Sequence, residues 1–129
     1  MKLGGQDIPS YTCRMVGDIL GQIGNKWSIL VMVLLSSSPW TFNALRREIG
    51  VVTQKVLTST LRGLERDGYI GRTVLPGKVI RVEYRLTQLG RDALKPMNAL
   101  AAFALHRQAE VLAARAAYDD AKRLGPEEG

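Results

Sequence analysis

Cysteine and histidine each occur once in this chain, as Cys13 and His106. A single thiol cannot close an intrachain disulfide, and with one imidazole beside it there is no Cys/His set for a zinc site. His106 therefore reads as a lone surface histidine. Acidic residues are also short, 12 against 18 Lys and Arg, which leaves a net charge of +6 and a pI near 9.8. Most of the carboxylates stand beside Arg or Lys in helical segments. No carboxylate pair, Ser-His-Asp set or Gly-rich phosphate loop stands out, so the chain reads as a non-enzyme without cofactor or metal. Long apolar runs are missing too. The longest, Ile29 to Leu35, is seven residues, against the ~20 that a membrane span needs. Residues 1–12 lack the apolar stretch of a signal peptide and read as a flexible arm. A soluble, cytoplasmic protein with no membrane partner is expected.

What is present is an ordinary apolar share of 46% in 129 residues, enough for one domain with a modest core. The excess positive charge is not spread evenly. Residues 41–85 carry nine cations (Arg46, Arg47, Lys55, Arg62, Arg66, Arg72, Lys78, Arg81, Arg85) against Glu48, Glu65, Asp67 and Glu83, so +5 of the net +6 lies there. Such clustering favours a polyanionic partner, while a solvated charged face is the competing account.

The stretch from Thr53 to Gly68 decides between them. Leu57, Leu61 and Leu64 recur at i, i+4 and i+7, one stripe of a helix that needs a core beneath it. The other face carries Gln54, Lys55, Thr58, Ser59, Arg62 and Arg66, groups able to pair with phosphates and base edges. Thr53 suits an N-cap and Gly68 a left-handed stop. Before it, Thr41 to Gly50 reads as a short amphipathic helix with Phe42, Leu45 and Ile49 on one side. Gly50-Val-Val52 is then the turn of a helix-turn-helix whose second helix fits the major groove. After it, Ile70 to Leu75 and Ile80 to Leu86 alternate around Pro76-Gly77 as a hairpin does. A hairpin after a recognition helix is a wing. Trp40-Thr41-Phe42 is a further candidate strand for the same sheet.

Met15 to Gly24 reads as a first helix and Lys26 to Ser36 as a second, apolar nearly all round, with Trp27 packing in the core. From Thr87, Leu89, Ala93, Leu94, Met97, Leu100, Phe103 and Ala104 keep helical spacing, and a late helix is expected to about Tyr118, with Pro96 able to kink or divide it. Its apolar surface exceeds what one small winged domain covers, and its alanines allow close approach. It is assigned, with the first helix, to a symmetric dimer interface; a monomeric helical hairpin is the rival reading. Residues 119–129 read as a polar tail.

The succession Ile23-Gly-Asn-Lys-Trp27, Phe42-Asn-Ala-Leu-Arg46, Thr53-Gln-Lys-Val-Leu-Thr58, Leu61-Arg-Gly-Leu-Glu-Arg-Asp-Gly68, Arg81-Val-Glu-Tyr84 and Leu86-Thr-Gln-Leu-Gly90 resembles the HxlR-type winged-helix transcriptional regulators. The resemblance covers residues 13–118. It implies a small homodimeric DNA-binding regulator, related in architecture to the MarR group. Two positions depart from the pattern: Val79-Ile80 where many members carry Pro-Pro, and Phe103 near where a Trp is frequent.

The expected fold is thus mainly α with a small β-hairpin wing, an α+β winged helix-turn-helix. Double-stranded DNA is the expected partner. Lys55 and the first backbone N–H groups of the reading helix would hold phosphates, while Gln54, Thr58, Ser59 and Arg62 meet base edges. Lys78 and Arg81 would reach the flanking minor groove or backbone. A two-fold dimer sets its reading helices about 34 Å apart, which calls for a pseudopalindromic operator. The alternative is a winged helix that binds protein; such domains lose the basic outward face, and this sequence keeps it. Cys13, beside Arg14 at the entry to the first helix, has two readings: an inert thiol, or a nucleophile activated by the helix terminus and the cation. The resemblance implies the second, since some members sense oxidants or electrophiles there.

Overall fold

Residues 1–125 are described in a computed structural model, and they divide into a unit of Met1–Met97 and a second beginning at Asn98. The first residues form a hairpin in place of the expected loose arm. Strands β1 (Lys2–Leu3) and β2 (Gln6–Asp7) pair antiparallel, and the Met1 ammonium meets Asp7 at 3.4 Å. Helix α1 then spans Ser10–Ile23, starting five residues ahead of the Met15 expected. Pro9 stands at its N-cap position, where a missing N–H costs nothing because that group has no helical partner. Helix α2 (Lys26–Leu35) follows, capped by the Asn25 side chain, which accepts from the Trp27 N–H at 2.8 Å.

The α2 helix is the centre of the unit. Val31 and Met32 are fully buried, and the Ser28 hydroxyl donates to the Gln22 carbonyl at 2.8 Å, which removes the cost of burying it. Trp27 packs on the core as expected, with the Lys26 ammonium 4.8 Å from its ring centroid. No single helix among the described residues is long and apolar enough to cross a membrane.

Helices α3 (Phe42–Ile49) and α4 (Gln54–Arg66) have the starts that the sequence marks. The Thr41 hydroxyl accepts from the Ala44 N–H and the Thr53 hydroxyl from the Val56 N–H. Each cap contributes ~1 kcal/mol by satisfying a donor that the helix leaves open. Gly50 and Gly68 end these segments at φ 79° and 86°, where a Cβ would be strained. Between them the chain turns on Val52, which is buried. Leu57, Leu61 and Leu64 seat α4 against Val31, Met32 and Leu45, all within the same buried cluster. Burying each leucine contributes roughly 1.5–3 kcal/mol, so the face of α4 that turns inward is fixed by that seam.

Strands β3 (Trp40–Thr41), β4 (Ile70–Leu75) and β5 (Arg81–Leu86) form one antiparallel sheet in the order β3-β5-β4. Trp40 pairs with Tyr84, and Ile70 with Leu86, so the wing hairpin is anchored at its base by three buried side chains, Tyr84, Ile70 and Leu86. Helix α5 (Gln88–Leu124) starts immediately after it. The Thr87 hydroxyl accepts from the Gly90 N–H at 3.1 Å and donates to the Gly68 carbonyl at 2.6 Å. Gly90 is buried at that contact, and a Cβ there would overlap the Tyr69 carbonyl oxygen.

The α5 helix neither divides at Pro96 nor stops at Tyr118; it continues six residues further to Leu124. Apolar spacing ends near Tyr118, but Ala121, Lys122 and Arg123 favour helix, and Arg123 pairs with Asp120 at 3.2 Å. Of the polar tail read at 119–129, residues 119–124 are therefore helical, and 126–129 lie outside the described residues. In the second unit the side chains are exposed almost throughout, including Leu100, Phe103, Leu105 and Leu112.

Candidate nucleic-acid interface

Turning the leucine seam inward leaves the opposite side of α4 to solvent. Gln54, Lys55, Ser59 and Arg62 are exposed and Thr58 is half-buried, and these five side chains line one shallow, open depression. Positions 54, 58 and 62 stand a turn apart in one row, and 55 and 59 in the next, as the 3.6-residue period requires. The result is a ridge carrying two cations, an amide and two hydroxyls. Thr60 is the exception among the polar residues of α4. It is buried, and its hydroxyl is satisfied by the Val56 carbonyl at 2.8 Å.

A second groove runs beside the ridge. Phe42, Gln54, Thr58, Arg62, Glu65, Arg72, Val82 and Tyr84 line it, so α4 and the sheet share this surface. Tyr84 is largely buried, and burial holds its phenol above the usual range despite the neighbouring Arg72 and Arg62 guanidinium groups, so it stays protonated at neutral pH. Arg72 sits directly across from Tyr84 in the β4–β5 ladder. The wing tip lies apart from the five-residue depression. Lys78 is in the turn, Arg81 opens β5 opposite Leu75, and both are exposed. Arg81 lines a further groove with Asn43 and Arg47 of α3. Helix, turn, capped helix and a two-stranded hairpin with cations at its tip compose a winged helix-turn-helix.

A family model described as an HxlR-like helix-turn-helix matches residues 22–110. This chain belongs to the HxlR-like family. The HTH-type transcriptional regulator YtfH of Escherichia coli strain K12 is 37% identical over 98 residues, spanning 76% of this chain and 78% of that one. Among solved structures, the ytfH transcriptional regulator from Salmonella typhimurium superposes with a TM-score of 0.73 at 34% identity, covering 78% of this chain and 89% of its own. The redox regulator HypR in its oxidised form superposes with a TM-score of 0.66 at 32% identity, covering 70% of this chain and 94% of that one. The protein is accordingly a DNA-binding transcriptional regulator of HxlR type and not an enzyme.

Within this HxlR-like chain two residues stand closer to the reading surface than sequence reasoning suggested. Arg72, read in sequence only as one of the nine cations of 41–85, forms no ion pair among the described residues and faces the groove with Thr58 and Arg62. Counting by twos from buried Ile70 would have found it, since Ile70 and Arg72 share a strand face. Arg46 is the other. Its Nη1 donates to the Gln54 Oε1 at 3.4 Å across the turn of the motif, a contact between two helices that no local pattern signals.

Cys13 lies on the first turn of α1, partly exposed. Its Sγ is 3.6 Å from the Met1 Sδ and 3.9 Å from the Ile8 carbonyl oxygen. The N-terminal hairpin is thus folded against the thiol. Around it α1 has no buried residue at all, and Tyr11, Met15, Ile19 and Leu20 are exposed.

Proposed function

We propose that two copies of this chain bind a pseudopalindromic operator, each placing α4 in the major groove with Lys55 on phosphate and Gln54, Thr58, Ser59 and Arg62 toward base edges. Lys78 and Arg81 follow the flanking backbone or minor groove. The observation that carries this reading is the ridge itself: five polar or cationic side chains held outward on a helix whose other side is a leucine seam. Phosphate contacts position the helix, and the outward side chains choose the sequence.

A second copy of the chain accounts for two surfaces that the separate units leave open. The α1 helix buries none of its residues, although its sequence is amphipathic. The helix from Asn98 onward exposes Leu100, Phe103, Leu105 and Leu112. Amphipathic helices of this kind are stable when their apolar side is covered. A two-fold assembly covers the same surface in both copies and sets the reading helices one DNA turn apart, about 34 Å.

Cys13 is the proposed sensor. Two thiols in facing subunits, each giving up a proton and an electron to a quinone or peroxide, would join as a disulfide. A thiol that adds to an electrophile needs no second cysteine. The solved relative HypR is a redox regulator, which supports this assignment. The disulfide version requires the two Cα atoms within about 7 Å.

Selection of bound sites from a random duplex library tests the core of the proposal. An enriched motif with inverted half-sites separated by one helical turn is the expected result. A collection of bound sites without symmetry would overturn the dimeric arrangement, and no enrichment at all would overturn sequence-specific reading.

A further inference from the structure

The groove between α4 and the sheet does not stop at that helix. Phe42 and Val82 line it, and they also line the groove in which Arg81 meets Arg47, so the two grooves join between the helix-turn-helix and the wing. The floor of the joined surface is apolar or aromatic, made by half-buried Phe42 and Val82 and by buried Tyr84. Its rim is cationic. Arg62 of α4 and Arg72 of β4 stand at one end, where both guanidinium groups are close enough to the Tyr84 phenol to pull its pKa down against the effect of burial. Arg47 of α3 and Arg81 of β5 stand at the other. Against these four cations there is one carboxylate, Glu65, so four minus one leaves an excess of three positive charges. All four arginines are exposed, and none forms an ion pair among the described residues.

A DNA strand repeats an anionic phosphate and an apolar sugar face. This surface repeats a cation, an apolar floor and a cation, and it is open along its length, as an extended polymer requires. Its place is also specific. The major and minor grooves of a duplex are divided by one sugar-phosphate strand, so a helix in the first and a wing beside the second leave that strand to pass between them. We infer that the channel between α4 and the wing holds this dividing backbone, with Arg72 and Arg47 on its phosphates over a floor of Phe42, Val82 and Tyr84. A guanidinium suits the task, since its planar fork meets phosphate oxygens in pairs. Contacts of this kind fix the register of the protein on the duplex and carry no base preference. The inference rests on α4 being the base-reading helix.

The test uses operator duplexes in which single phosphates are replaced by neutral methylphosphonates, titrated with the full-length wild type, Arg72→Ala and Arg47→Ala. The wild type should lose about tenfold in affinity at phosphates of the strand between each half-site and its flank, the loss of a charge-assisted contact. Each variant should bind the unmodified operator about tenfold more weakly, with its log–log salt slope reduced by about one and its base preferences unchanged. Each should also become indifferent to one phosphate to which the wild type responds, and the two phosphates should differ. Both arginines are exposed, and circular dichroism should show the variants folded as the wild type is. If either variant responds to every phosphate as the wild type does, or alters base preference without altering the salt slope, the inference is overturned. A wild type that prefers no sequence would instead refute the reading of α4 on which the inference rests.

Discussion

The Thr87 hydroxyl joins the carbonyl of Gly68, just past the end of α4, to the N–H of Gly90 in the first turn of α5, at 2.6 and 3.1 Å. One oxygen thus closes the base of the wing, since β4 and β5 run out from this point and return to it. Thr87→Ala removes a cap and leaves the Gly68 carbonyl without its partner, and should cost about 1–2 kcal/mol. The expected result is a melting temperature lower by roughly 3–8 °C by circular dichroism, with Thr87→Ser close to wild type. An unchanged melting curve for the alanine variant would show that the strut contributes nothing.

The ridge on α4 predicts two kinds of binding defect. Lys55→Ala should weaken binding to operator and random duplex alike and lower the salt dependence by about one unit in the log–log slope. Gln54→Ala and Thr58→Ala should reduce the difference between operator and random duplex, with a smaller change in that slope. Fluorescence anisotropy titrations at several salt concentrations measure both quantities. Identical behaviour of all three variants would remove the division of labour between phosphate and base contacts.

The bare side of α1 predicts a change of mass without a change of fold. Ile19 and Leu20 are each about half exposed, at 45% and 55%, so Ile19→Asp or Leu20→Asp places a charge where this chain has no core to disturb. On the proposed dimer, the wild type should run as a dimer in sedimentation and the variants as monomers at the same concentration, with unaltered helical content, and operator affinity should fall. Variants that remain dimeric would exclude α1 from the interface.

For Cys13 the comparison is operator binding with and without a mild oxidant or a quinone, in wild type and Cys13→Ser. Wild type should change its affinity and the variant should not. A cross-subunit disulfide adds a dimer band on non-reducing gels that is lost with reductant, and an electrophile adduct adds the mass of the reagent to each chain. Equal responses from both proteins would end the sensor assignment.

The reading module was legible because its signals are local. Thr53 and Gly68 bracket α4, the leucines sit one turn apart, and Pro76-Gly77 separates two alternating runs, so each boundary follows from residues a few positions away. Trp40–Thr41 joined the sheet as expected because its strand abuts the Thr41 cap. The ends of the long helices were less legible. The α1 helix begins at Ser10, before its apolar pattern does, and α5 outlasts its pattern at Tyr118, where Ala121, Lys122 and Arg123 favour helix and Asp120 pairs with Arg123. Pro96 did not divide α5, although its ring removes one backbone bond; buried Leu94 and Met97 hold the turns on either side of it. Arg46, Arg72 and Tyr84 were placed by contacts between elements, Arg46 reaching across a turn and Arg72 meeting Tyr84 across a ladder. Periodicity within one segment carries no information about such neighbours.

The capped, leucine-seated α4 has a meaning for how regulators of this kind diverge. Its stability resides in Thr53, Leu57, Leu61 and Leu64, none of which belongs to the outward row of 54, 58 and 62. On the proposed reading of DNA by this row, descendants can exchange the outward residues and acquire new promoters one substitution at a time, while the scaffold that presents them stays as it was.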